Sequence, residues 1–87
     1  MTPEGKVVAA IRKRVRDLGG DTRKCRWEGR AGAPDLLILL DGRHLWVEVK
    51  APGKRPGAHQ LREHERLRAA GCDVFVVDSL EAFEALL

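Results

Sequence analysis

Cysteine is scarce in this sequence: Cys25 and Cys72 are the only two, and they lie far apart. No CxxC or other close ligand pair occurs, which excludes the usual structural zinc pattern, and the two thiols read as reduced core residues. Long apolar runs are missing as well. None exceeds Leu36–Leu40, far short of the roughly 20 residues that a membrane-spanning helix needs, so no membrane partner is expected. The N-terminus has no apolar signal segment with a cleavage site, which makes the cytoplasm the expected compartment. There is no internal repeat, low-complexity tract or linker long enough to divide domains. The GKRPG stretch (Gly53–Gly57) lacks the GxxxxGK[ST] spacing of a phosphate-cradling loop. Residues 71–87 have four acidic and no basic side chains.

The basic residues are concentrated elsewhere. Between Lys6 and Arg30 there are nine cations (Lys6, Arg12, Lys13, Arg14, Arg16, Arg23, Lys24, Arg26 and Arg30) against three acids. Eleven of the sixteen cations are arginine, the side chain best shaped for phosphate. Arg12, Arg14, Arg16 and Arg30 are therefore candidate contacts to a polyanion, with a solvated helix face as the bland alternative. At 87 residues, one domain spanning 1–87 is expected. It is small enough to be marginally stable, so a second copy would help it.

Six main elements follow from periodicity and punctuation. A helix is expected from Thr2 to Leu18, capped by Thr2, opened by Pro3 and stopped by Gly19-Gly20. Its apolar stripe is Val7, Val8, Ile11, Val15 and Leu18, and at about 100° per residue Glu4 falls within that stripe. A carboxylate there points toward the protein, although a first-turn acid that suits the helix dipole is the plain alternative. Strands are expected at Thr22–Trp27, Asp35–Leu40 and Arg43–Lys50, the last two joined by an Asp41-Gly42 hairpin turn. Cys25 and Trp27 share a face of the first strand. After the loop Ala51–Gly57, a helix is expected over Ala58–Ala70, with Gln60, His64 and Leu67 on one face. A buried strand over Cys72–Asp78 and a short helix capped by Ser79 complete the order. The fold class is α/β, an αβββαβ core with a mixed sheet flanked by helices, and its βαβ unit implies a parallel, right-handed crossover.

The chemistry gathers on the hairpin. A two-residue turn pairs Leu40 with Arg43 and places Asp35 opposite Glu48 on one sheet face, their Cβ atoms about 4.5–5.5 Å apart. Two carboxylates that close repel unless a cation lies between them. Mg²⁺ resolves the conflict, because it is commonly held by one or two carboxylates with waters and phosphate oxygens. Lys50, two residues beyond Glu48, emerges on the same face, where its ammonium can hold an attacking water and offset charge on a phosphate. Asp35, Glu48 and Lys50 are thus the candidate catalytic set. Taken singly, Asp35 is an ordinary strand-start residue and Glu48 with Lys50 a surface ion pair. Gln60 on the inward face of its helix could orient a water or phosphate, or bond to backbone. Lys54 and Arg55 in the neighbouring loop could bind phosphate or simply keep the loop soluble. His64, Trp27 and Trp46 read as packing residues.

Pro34-Asp35 followed by Glu48-Val49-Lys50 resembles the motif of the PD-(D/E)xK nuclease superfamily. More narrowly, the chain is similar to stand-alone virus-type replication-repair nuclease (VRR-NUC) domains. The likeness runs from Glu4 through GAPD (Gly32–Asp35), VEVKAPG (Val47–Gly53) and Gln60 to GCDVFVV (Gly71–Val77). It implies a minimal restriction-endonuclease-like core. It implies that Asp35, Glu48 and the Val49 carbonyl ligate Mg²⁺ or Mn²⁺, with Glu4 contributing directly or through water. Lys50 would assist the water, and Gln60 would be the motif glutamine. It further implies an endodeoxyribonuclease of a bacterial or phage-infected cell, homodimeric and acting on branched DNA such as Holliday junctions. Two other readings stand beside this one: a flap, single-strand or nicking nuclease, and a non-catalytic nucleic-acid-binding module.

Overall fold

The computed structural model describes residues 1–87. Helix α1 (Pro3–Asp17) is followed by strands β1 (Asp21–Lys24), β2 (Leu36–Leu40) and β3 (Arg43–Val49). Helix α2 (Ala58–Ala69), strand β4 (Asp73–Val77) and helix α3 (Leu80–Glu84) complete the chain. Thr2 caps α1 by accepting the Gly5 N–H at 3.0 Å, and Ser79 caps α3 by accepting the Ala82 N–H at 3.0 Å. Both match the expected helix starts.

The strands form one sheet in the order β1-β2-β3-β4. The first two pairings are antiparallel and β3–β4 is parallel, which makes the sheet mixed. The hairpin has the expected register, with Leu40 opposite Arg43 and Leu36 opposite Val47. Asp41 (φ 52°) and Gly42 (φ 73°) both take the left-handed conformation, which a two-residue hairpin turn of this twist requires.

One face of the sheet carries the core. Val7, Ile11 and Val15 of α1 pack with Leu36, Ile38, Leu40, Leu45, Val47 and Val49, and Val77 and Phe83 complete the cluster. This removes mostly branched aliphatic surface from water, the main favourable term in so small a fold. The opposite face is covered only in part. Along it, His44 is exposed, Trp46 half-buried and Glu48 buried.

Strand β1 is shorter than expected. It ends at Lys24, and Cys25 makes a last rung by donating its N–H to the Asp35 carbonyl at 2.9 Å. Trp27 lies beyond the strand, its ring 5.6 Å from that of Trp46 at a 57° tilt. The outer edge of β4 is blunted by Arg68, whose guanidinium donates to the Val74 carbonyl at 2.7 and 3.3 Å, a device that discourages edge-to-edge association. No helix is long and apolar enough to cross a membrane.

Candidate active site

The site lies where β2, β3 and α2 meet. The PD turn enters it through Gly32, at φ +96°, where an added Cβ would come within 3.0 Å of the Glu63 Cβ and 3.1 Å of the His59 carbonyl. The segment before Asp35 is thus seated directly on α2, and Pro34 is buried there. Asp35 then turns its carboxylate along the sheet edge, where Oδ2 accepts the Val49 N–H at 2.7 Å. The side chain continues the β2–β3 ladder and fixes the Glu48–Val49 peptide.

Glu48 is only 2% exposed. Its Oε2 accepts a hydrogen bond from Gln60 Nε2 at 3.1 Å and lies 3.3 Å from Lys50 Nζ. Its Oε1 is buried without a hydrogen-bond partner and lies 3.8 Å from His64 Nε2. Burial, followed by the negative charge of Asp35, pushes the Glu48 carboxyl up to about 7, against the opposing pull of Lys50. His64 is fully buried. Burial first, then the positive charges of Arg68 and Lys50, hold its pKa below the usual value, so it faces Glu48 as a neutral ring rather than as a counter-ion.

Of the two expectations for Gln60, the hydrogen bond to backbone is the one present, and the side chain also holds Glu48. Its amide nitrogen holds Glu48, while its Oε1 accepts the Gly57 N–H at 2.9 Å. One side chain therefore closes the start of α2, in the manner of half a capping box, and also orients a carboxylate.

Glu4 is exposed on the first turn of α1 rather than turned into the core. It lines a cleft of about 500 Å³ with Arg12, Lys24, Cys25, Asp35 and Leu36. Glu4 and Asp35 thus share a wall. No three His, Cys, Asp or Glu side chains converge closely enough to make a ligand cluster by themselves.

The expected basic contacts separate. Arg12 faces this cleft, its Nε donating to Thr22 Oγ1 at 3.2 Å. Arg14 points the other way and pairs with Glu84 of α3, while Arg16 is exposed. Arg14 does not share a face with the other two, because positions two apart on a helix are turned by about 200°, whereas Arg12 and Arg16, four apart, differ by only about 40°. Arg30 lies 3.6 Å from Glu63, a buried carboxylate that also holds Arg66 at 3.1 Å. Lys54 and Arg55 border a second hollow of about 330 Å³ with Val76, Val77 and Asp78. Their loop is anchored, since Asp78 Oδ2 accepts the Gly53 N–H at 2.9 Å.

Three contributors were missed by sequence reasoning. Lys24 escaped because, at the end of a short edge strand, it counted only as one cation among the nine between Lys6 and Arg30. Glu63 carried no signal beyond its helical register with Gln60 and His64. The neighbourhood of His64 and Glu48 depends on how α2 lies across the sheet, although the spacing of four between Gln60 and His64 already put both on one face.

Fold and site together define an α/β protein of the restriction-endonuclease-like type, with paired carboxylates and a lysine at the end of a central hairpin. Its sequence is matched over residues 3–81 by the family model of the VRR-NUC domain. A solved structure described as a VRR_NUC domain superposes with a TM-score of 0.90 at 48% identity, covering 99% of this chain and 95% of that one. The "Putative nuclease p44" of Acyrthosiphon pisum secondary endosymbiont phage 1 is 50% identical over 66 residues, 75% of this chain and 71% of the phage protein. The chain belongs to the VRR-NUC family of nuclease domains.

Proposed function

We propose that this protein is a divalent-metal-dependent endodeoxyribonuclease that cuts branched DNA, four-way junctions among them. The observation that carries the reading is Glu48: a carboxylate only 2% exposed, beside a second carboxylate, Asp35, whose charge helps raise its pKa. A buried carboxylate next to a second, half-buried one is costly, and the single ammonium of Lys50, 3.3 Å from Glu48 Oε2, leaves one of the two negative charges for a further cation to offset.

The donor set fits Mg²⁺ or Mn²⁺. Asp35, Glu48 and the Val49 carbonyl are all oxygen donors, and the remaining positions suit water and phosphate oxygens. Glu4 would act on the outer side of the cleft, through water. When bound, such an ion acidifies a water and stabilises charge on the phosphoryl oxygens.

The chain's own residues supply the rest. Lys50 Nζ, beside Glu48 Oε2, can hold the attacking water on one side and donate to a non-bridging phosphate oxygen on the other. Water adds to phosphorus, the P–O3′ bond breaks, and the products are a 5′-phosphate and a 3′-hydroxyl. Gln60 keeps Glu48 aimed. Arg12 and Lys24 bring positive charge to the cleft that Asp35 lines, where a backbone phosphate next to the scissile one would lie. Arg16, Arg30, Lys54 and Arg55 extend this positive potential around the site, whereas Arg14 is engaged by Glu84 on the α3 side. A two-fold homodimer would offer two such sites to opposed strands of a symmetric junction.

The test is cleavage of a labelled panel comprising a four-way junction, a flap, a duplex and a single strand, each with Mg²⁺, Mn²⁺ or EDTA. The reading expects metal-dependent cutting that favours the junction. It also expects loss of cutting in Asp35→Asn, which keeps an acceptor for the Val49 N–H and removes the charge. A preference for the flap or single strand would keep the chemistry and change the substrate. Binding without cutting under every metal condition would overturn the enzyme reading.

A further inference from the structure

Three buried polar atoms without hydrogen-bond partners meet in one place: Glu48 Oε1 and both ring nitrogens of His64. Buried polar groups in native folds are nearly always satisfied, so a cluster of such atoms calls for a physical account. His64 is fully buried, and an imidazole there carries a desolvation cost that a leucine of similar bulk would avoid.

The geometry offers the account. Gln60 and His64 are four residues apart on α2, one turn of helix, and so share a face. Gln60 donates to Glu48 Oε2 at 3.1 Å, while His64 Nε2 lies 3.8 Å from Oε1. The two side chains thus address the two oxygens of one carboxylate. A separation of 3.8 Å exceeds a hydrogen bond, but a shift of about 1 Å brings it to the usual range of roughly 2.7–3.2 Å. A neutral imidazole has one N–H and one lone pair. With the proton on Nε2 it attracts Oε1; with the proton on Nδ1 it presents a lone pair to a carboxylate.

We propose that His64 is a positioning residue that donates from Nε2 to Glu48 Oε1 and, together with Gln60, fixes the plane of the carboxylate for metal binding. The proposal rests on the nuclease reading and adds a residue to it. Outer partners of this kind orient metal-binding groups, and their loss typically weakens metal affinity by about 10- to 100-fold.

The test uses the full chain with His64→Gln, His64→Asn and His64→Leu. A glutamine amide nitrogen reaches the place of Nε2, an asparagine amide only that of Nδ1, and a leucine keeps the bulk alone. Two readouts are taken: Mn²⁺ affinity without DNA, by calorimetry, and kcat and KM for cleavage. We expect His64→Leu and His64→Asn to weaken Mn²⁺ binding by about 10- to 100-fold and to lower kcat with KM for DNA nearly unchanged. His64→Gln should recover most of both. If His64→Leu fails to fold, the contrast between glutamine and asparagine decides the matter. Equal behaviour of those two, or wild-type Mn²⁺ affinity and turnover in His64→Leu, overturns the proposal and leaves a packing role. Wild type that cuts while the variants cut equally well removes only this proposal. Wild type that neither binds Mn²⁺ nor cuts removes the nuclease reading and this proposal with it.

Discussion

Glu48 is held at a cost that its surroundings only partly relieve. Lys50 and Gln60 satisfy one oxygen, and the other has no partner. Glu48→Gln keeps the shape and removes the charge. In EDTA the variant should match or exceed wild type in thermal stability. The sign follows from the raised pKa. The carboxyl sits at about 7 in the fold against 4.5 as a reference, so its penalty is fully present above pH 7 and fades as pH falls toward 4.5. Melting curves across that range should therefore show the advantage of the variant shrinking as the solution is acidified. Lys50→Ala should lower kcat more than it raises KM, because an ammonium at this place acts on charge that develops during the reaction. A change in KM alone would make Lys50 a phosphate anchor. The register that brings Asp35 toward Glu48 was legible in the sequence, because Asp-Gly fixes the hairpin and the pairs from Leu40–Arg43 to Leu36–Val47 follow from it. The turn of Asp35 onto the Val49 N–H was not. It depends on where β2 starts, one residue later than expected, and strand ends are set by tertiary neighbours.

Elements decide where these side chains stand. The approach to Asp35 depends on Gly32, which combines a left-handed backbone with a close fit against α2. Gly32→Ala should destabilise the fold by about 1–3 kcal/mol, read as a lower melting temperature, and should displace Asp35 and reduce cleavage. An unchanged melting curve would mean that the loop has room the structure does not suggest. On α1, Arg12→Ala should weaken DNA binding and flatten its salt dependence. The log–log slope should fall by about 0.9, the value for one phosphate no longer neutralised. Arg14→Ala should leave that slope closer to wild type and cost about 1 kcal/mol of stability, since its ion pair with Glu84 is half-exposed and screened by solvent. Equal slopes for the two variants would contradict the division of the helix into a cleft side and an α3 side. That division was available from helix geometry alone, yet a run of arginines at 12, 14 and 16 invites reading as one patch. The helices, the hairpin and both side-chain caps were legible because Thr2, Pro3, Ser79 and Asp41-Gly42 are strong local signals. The end of β1 was not, because Cys25 and Trp27 continue an alternating pattern past the last ladder pair.

At the scale of the whole molecule, one aliphatic core lies on one face of the sheet and the candidate active-site side chains lie at the end of the other. Core and site share β3, where Leu45, Val47 and Val49 face one way while Trp46 and Glu48 face the other. The rigid side holds the chemical side in place, as precise catalytic geometry requires. Such a division lets site charges change without loss of the fold. The most direct test of the account compares wild type with Glu48→Gln, following cleavage of a four-way junction and the shift in melting temperature on adding Mn²⁺. The account predicts that wild type cuts the junction and is stabilised by Mn²⁺, and that a folded Glu48→Gln does neither. Cutting by the variant, or equal stabilisation of both proteins by Mn²⁺, would contradict the assignment of Glu48 to the metal site.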